Sequence, residues 1–215
     1  MPARTLVRRA TPDGRREHKK MLVRRGLLAA GRRLFADKGL YESRIEDLSR
    51  HAGIAKGTLY GYFANKEELV EAVVTNGFNE LLGHVHRAAQ GGSAREDALA
   101  RIAGAHLEFF HDNPDLIRIF HQVRGLLKFN GPESRPLRGV LSRYLAGLAQ
   151  VIGMHRGRKP SRGASDLELA MALFGAVSGI VSIYASIDRI VPPLENTPEL
   201  RRAFVALLRA RAGVA

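Results

Sequence analysis

Tyr62-Phe63-Ala64-Asn65-Lys66 puts a phenol and an ammonium four residues apart, the Tyr-x-x-x-Lys pair with which certain dehydrogenases move a proton. That chemistry needs a nucleotide-binding βαβ unit and a glycine-rich turn after a strand. The chain offers neither, so no catalytic residue is assigned and no enzyme is expected. Eight histidines raise the question of metal. His84 and His86 stand two apart and diverge on a helix rather than converge, so no metal and no cofactor is expected. The absence of cysteine removes disulfides, thiolate zinc sites and thiol catalysis. What remains is charge. Lys and Arg number 34 against 21 Asp and Glu, a formal net charge of +13 over 215 residues. A surplus of that size points to a polyanionic partner, either nucleic acid or an anionic membrane surface.

The elements that would position a charged partner are helical. Residues 1–20 carry a run of Arg and Lys without apolar periodicity and read as a disordered basic arm. Leu27, Ala30, Gly31 and Leu34 then form an amphipathic stripe that ends at Lys38-Gly39, where glycine suits a left-handed cap. Ser43-Arg-Ile-Glu46 reads as a capping box opening a second, short helix. Ala52-Gly53 interrupts it, and a third segment runs from about Ala55 to Tyr62. Asn65, followed by Glu67 and Glu68, caps a fourth and longer helix.

The same punctuation recurs further on. Ser93 to Glu96 is a capping box before the stripe Leu99, Ile102, Ala103, His106, Phe109 and Phe110. Asn113-Pro114 starts another helix. Leu137, Val140, Leu141, Tyr144, Leu145 and Leu148 make a further stripe. Ser165 to Glu168 caps a long apolar helix, and Thr197-Pro198-Glu199 begins the last. Gly153 to Ser165 reads as a solvated loop. The expectation is an all-α fold of about nine helices.

Leu169 to Ile187 carries no charge, approaches a membrane span in length and spaces Gly175 and Gly179 as in GxxxG. Its serines and small residues suit better a helix buried on two sides in a soluble dimer. Met171, Phe174 and Ser178 are expected to face the interior, with Leu173, Ala176, Ile180 and Tyr184 turned toward a second copy together with Leu200, Phe204 and Leu207.

Two short helices joined by a glycine turn are the signature of a DNA-reading unit. Ile45, Leu48 and Ala52 would hold the first inward, and Ile54, Leu59 and Phe63 the second. Leu34-Phe35-Ala36-Asp37-Lys38-Gly39, Ile45-Glu46-Asp47-Leu48, Ala52 to Tyr60, Tyr62-Phe63 and Lys66 to Leu69 agree in one ungapped register. This stretch closely resembles the tetracycline-repressor (TetR) family. The resemblance implies a homodimeric bacterial, cytoplasmic regulator released from an inverted-repeat operator by a small molecule. It implies that Lys56, Thr58 and Tyr62 contact groove or phosphate and that Lys66 binds a phosphate. Gly57 would let the helix backbone approach DNA, whereas Tyr60 either touches a phosphate or braces the helix. Arg44 replaces a small hydroxyl residue and would make a charged phosphate contact. Ala55 leaves the reading helix without a hydroxyl cap.

The expected division is a basic arm (1–20), a helix-turn-helix domain (21–66) and a helical regulatory and dimerisation domain (67–215). An apolar effector pocket would draw on His106, Phe110, Phe120, Tyr144 and Phe174. His106 reads more readily as a satisfied core histidine, with orientation of a ligand as the second reading. A sequence-indifferent DNA-packaging protein and a membrane-surface protein are the competing functions.

Overall fold

The computed structural model describes residues 12–91, 98–128, 131, 134–155, 164–186 and 206. Among them the chain forms eight α-helices and no strand. The first three make a small head: α1 Pro12–Lys38, α2 Ile45–Ala52 and α3 Lys56–Tyr60. The body follows with α4 Lys66–Gln90, α5 Ala98–Asp112, α6 Pro114–Leu127, α7 Ser134–His155 and α8 Asp166–Ser186. The all-helical expectation holds, and eight described helices stand near the nine read from sequence. The box at Ser93 and the last helix around Leu200, Phe204 and Leu207 lie outside the described residues.

Local chemistry sets the helix ends. The Asn65 side chain accepts from the Glu68 amide at 2.8 Å and so satisfies one of the four free N–H groups of α4. Ser165 and Glu168 exchange bonds reciprocally: the Ser165 amide donates to the Glu168 carboxylate at 2.7 Å, and the Glu168 amide donates to Ser165 Oγ at 3.2 Å. Pro114 occupies the first turn of α6. Gly39 and Gly53 take φ of 85° and 64°, which turns the chain out of α1 and between α2 and α3 at no Cβ penalty.

Four boundaries differ from the sequence reading. Helix α1 starts at Pro12, so residues 12–20 continue as helix what was read as disordered arm. Glu17, Lys19, Lys20 and Met21 are good helix formers, and a helix already packed at Leu27 propagates through them without an apolar stripe. The capping box of α2 sits one residue later than Ser43: the Arg44 amide donates to Asp47 at 3.2 Å, while Ser43 Oγ turns back to the Gly39 carbonyl at 2.5 Å. The reading helix stops at Tyr60 and Gly153 belongs to α7, so both the third segment and the loop are shorter than read.

The head and body share one continuous core, running from Leu27, Leu48, Leu59 and Phe63 through Leu69 and Leu81 to Ile102, Leu116, Leu148 and Leu173. Two glycines permit close helix crossings. A Cβ on Gly31 of α1 would lie 3.2 Å from Val73 of α4, and one on Gly77 of α4 would lie 2.8 Å from Leu116 and 3.2 Å from Phe120 of α6. Helix α8 faces the core differently from the expectation. Leu169, Ala170, Leu173 and Val177 are buried, Phe174 is half-buried, and Met171 is exposed. A helix apolar all round offers no phase from which to read its inward face. The side chain of Tyr184 lies outside the described residues. No described helix is long and apolar enough to cross a membrane.

Candidate functional site

The reading unit is braced from within. Leu48, Leu59 and Phe63 are fully buried, and Ile45 is nearly so. These are the anchors the sequence singled out, with Ala52 and Ile54 packed at the edge. The Arg24 guanidinium lies 5.5 Å from the centre of the Phe63 ring, tying α1 to the residue that closes the unit. Asp47 is the polar hub. Its carboxylate accepts from the Arg44 amide, from Lys38 Nζ at 3.4 Å and from Arg50. The amide bond first, then the lysine and arginine charges, hold its pKa below the ordinary carboxylate value.

Against this interior, Arg44, Lys56, Gly57, Thr58 and Tyr60 are all exposed. Ala55 sits at the N-cap of α3 in extended backbone and provides no side-chain cap, as read. A Cβ on Gly57 would meet nothing within 4 Å. The fold therefore gives no reason for glycine there. Tyr60 donates its hydroxyl to Glu46 Oε1 at 3.0 Å, joining α3 to α2, and this bond raises the tyrosine pKa. Its geometry is that of the bracing alternative. Tyr62 is half-buried against the core, so only part of it is offered to a partner.

Lys66 is placed differently from its expected phosphate role. Its ammonium donates to the carbonyls of Leu40 at 2.9 Å, Ser43 at 3.1 Å and Tyr41 at 3.4 Å. The three donors of one lysine thus gather the α1–α2 turn onto the start of α4. The sequence shows a lysine at a helix start, but not the carbonyls that a turn 23 to 26 residues earlier brings to it. Lys66→Met is expected to destabilise the chain by about 1–3 kcal/mol, the range for a broken charge-assisted network. It is also expected to speed amide exchange in residues 39–45. A thermal melt and exchange rates identical to wild type would return Lys66 to a pure phosphate contact.

The body holds an aromatic cluster. Phe78 stacks on Phe120 and Tyr144 with ring centres 4.3 and 4.6 Å apart, and Phe174 closes on Tyr144 at 5.2 Å. Beside it lies a narrow apolar cleft of about 30 Å³ between α4, α5, α6, α7 and α8. Of the five residues expected in a pocket, Phe110, Phe120 and Phe174 line it and His106 and Tyr144 do not. The expected pocket left out Phe78, Ile117, the polar Arg124 and His121, and also Leu141 and Ser178, which the sequence placed on an apolar stripe and an inward face. Arg124 and His121 were silent because an exposed polar side chain on a helix resembles any solvated face.

His106 is a satisfied core histidine. It is fully buried, its Nδ1 donates to the Ile102 carbonyl at 2.8 Å, and its Nε2 accepts from the Tyr144 hydroxyl at 2.5 Å. This tautomer follows because a backbone carbonyl only accepts. Burial lowers its pKa to about 4.

A second polar cluster was invisible in the sequence. Arg32 of α1 makes a forked pair with Asp115 of α6, with one contact at 2.6 Å, and donates also to Asn113 at 2.7 Å and Glu80 at 3.1 Å. Burial opposes the guanidinium charge, but Asp115 and Glu80 outweigh it and raise the arginine pKa. The Gln122 side chain accepts from the Leu40 amide at 2.5 Å.

The molecule is thus a braced helix-turn-helix head on a helical body with an apolar cleft. Residues 27–73 match the pattern of the bacterial regulatory proteins, tetR family. It is 39% identical over 57 residues to the HTH-type transcriptional repressor KstR2 of Mycolicibacterium smegmatis, covering 26% of this chain and 28% of that repressor. The chain thus spans under a third of that relative's length. It is 22% identical to the fatty acid metabolism regulator protein of Bacillus subtilis over 76% of this chain and 84% of the relative. The crystal structure of FadR from Bacillus subtilis in complex with stearoyl-CoA has the same fold, with a TM-score of 0.70 and 19% identity over 89% of this chain and 100% of that one.

Proposed function

We propose that the chain is a homodimeric, sequence-specific DNA-binding repressor, released from an inverted-repeat operator when an apolar small molecule enters the cleft. The observation that carries the reading is the α3 surface. Lys56, Gly57 and Thr58 stand exposed on a helix whose opposite side is locked by Leu59, and the glycine answers no internal need. A lysine there donates to guanine and a threonine methyl packs on thymine. Arg44 and the exposed Arg15, Arg16, Lys19 and Lys20 of the α1 extension supply phosphate contacts that position without reading. Lys66 acts indirectly, by shaping the turn that presents Arg44.

The effector is an apolar compound, since aromatic and aliphatic side chains dominate the cleft and Arg124 and His121 provide a polar end. The same-fold FadR complex with stearoyl-CoA supports a ligand with a long apolar part. The second copy would cover exposed Leu167 and Met171, four apart on α8.

Selection of bound duplexes from a random pool tests the reading, and recovery of an inverted repeat is expected. Deleting residues 1–16 should then weaken binding to operator and random DNA alike. It should also flatten the slope of log affinity against log salt by about 0.9 for each phosphate that is no longer neutralised. A pool that emerges unenriched, with the salt slope intact, would identify a sequence-indifferent binder.

A further inference from the structure

Helix α3 presents two exposed flanks around Gly57. At about 100° per residue, Lys56 and Tyr60 stand four apart and share one flank, and Thr58 lies on the other. Glu46, in the first turn of α2, adjoins the Lys56–Tyr60 flank. Its Oε1 accepts from the Tyr60 hydroxyl at 3.0 Å, and the charges of Lys56 and Arg44 act on it. The carboxylate is partly exposed and ionised. Its own backbone amide first, then the Tyr60 hydroxyl, hold its pKa below the ordinary carboxylate value; Lys56 and Arg44 add to this, and desolvation opposes it. A carboxylate thus stands among the cations of the surface that meets DNA.

An ionised carboxylate only accepts hydrogen bonds. It repels phosphate, and it finds no partner in N7 or O6 of guanine or in O4 of thymine. In the major groove cytosine presents its N4 amino group as a donor, whereas the adenine amino group sits beside the N7 acceptor. Cytosine is therefore the base that suits this group.

We propose that Glu46 reads cytosine at one position of each half-site, accepting from the N4 amino group, with Tyr60 as the positioning residue that orients the carboxylate. The inference rests on the reading of α3 as the helix that enters the major groove. A carboxylate offers about four acceptor sites, so the bond to Tyr60 leaves room for a base. Lys56 and Arg44 offset the repulsion between Glu46 and the phosphates. On random DNA no amino group meets the carboxylate, and its charge only weakens binding. Glu46 thus widens the gap between operator and random DNA by an attractive and a repulsive element together. Tyr60, in turn, braces a base-reading group as well as α3.

The test is selection of bound duplexes from a random pool by wild type, Glu46→Gln and Tyr60→Phe in parallel. Affinities for the wild-type operator, its single-base variants and random duplex are then measured over a range of salt. Wild type is expected to select cytosine at one position per half-site. Glu46→Gln keeps an acceptor for Tyr60 and gains an amide that pairs bidentately with adenine, so it should select adenine there and leave the other positions unchanged. Its discrimination in favour of cytosine at that position should fall about 10-fold or more. It should also bind random duplex more tightly and steepen the slope of log affinity against log salt by up to about 0.9.

Tyr60→Phe should keep the cytosine preference but weaken it about 3-fold, at that position alone. A Tyr60 that merely braces α3 against α2 would instead weaken every base preference together. Base preference unchanged at all positions in Glu46→Gln overturns the proposal and leaves the DNA-reading function standing. So does a change confined to a position where wild type does not favour cytosine. A wild-type pool without any enriched motif overturns both.

Discussion

Replacing Gly57 by leucine is expected to leave the fold intact and remove most operator binding, about 100-fold or more. Gly57 has ordinary helical backbone, is exposed, and has open space where a Cβ would stand. A Cβ there meets no heavy atom within 4 Å. Glycine in a helix costs roughly 0.5–1 kcal/mol relative to alanine, so Gly57→Ala should raise the melting temperature slightly. On the proposed function the glycine permits a close backbone approach to the groove edge, and a leucine there would hold the helix off. Lifting α3 removes the Lys56 and Thr58 base contacts together, at about 1–3 kcal/mol for each good contact, where 1.4 kcal/mol is tenfold. Alanine should give an intermediate loss near 10-fold. The measurement is a pair: thermal melts of all three proteins, and their affinities for the selected operator. A leucine variant that binds the operator as wild type does would place the reading surface elsewhere.

Acid is expected to destabilise the fold through His106 before the carboxylates that hold the head are protonated. A histidine with a folded pKa near 4 and an ordinary unfolded value near 6.5 binds more proton when unfolded. Its contribution is therefore fully present above about pH 6.5 and declines as pH falls toward 4. The loss is about 2 kcal/mol between pH 7 and 5, with a ceiling near 3 kcal/mol below pH 4, out of a typical total of 5–15. The cause is burial first; the bond to Ile102 opposes it, and the nearby His84 adds to it. Denaturant melts at pH 7 and pH 5 should show this loss in wild type. In His106→Leu/Tyr144→Phe, which removes both hydrogen-bond partners together, the difference between the two pH values should shrink by about that amount. Equal pH dependence in the two proteins would show that His106 is protonated in the fold.

The head was legible because its determinants are local. Gly39, Gly53, Asn65 and the buried Leu48, Leu59 and Phe63 act within a few residues of their place in the chain, and each was readable as a turn, a cap or an anchor. Lys66 shows the limit of that reading: its charge was visible, but its partners come from a turn folded back onto it. Arg32 and Asp115 lie 83 residues apart, and neither type nor spacing joins them. His106 was readable as a polar residue on an apolar stripe. Its partner Tyr144, on another helix, decided between core and ligand group. The inward face of α8 had no periodic signal to follow.

The two glycine crossings limit how the molecule can move. Val73 seats in the notch left by Gly31, and Leu116 and Phe120 seat against Gly77, so α1, α4 and α6 interlock like teeth in adjoining racks. A shift along the axis by one residue, about 1.5 Å, would drive a methyl group into a neighbouring backbone. Translation is thus the stiff coordinate, and rocking about the notches is the soft one. A tilt of the head that keeps this register fixed would leave both notches filled, whereas a slide would empty them.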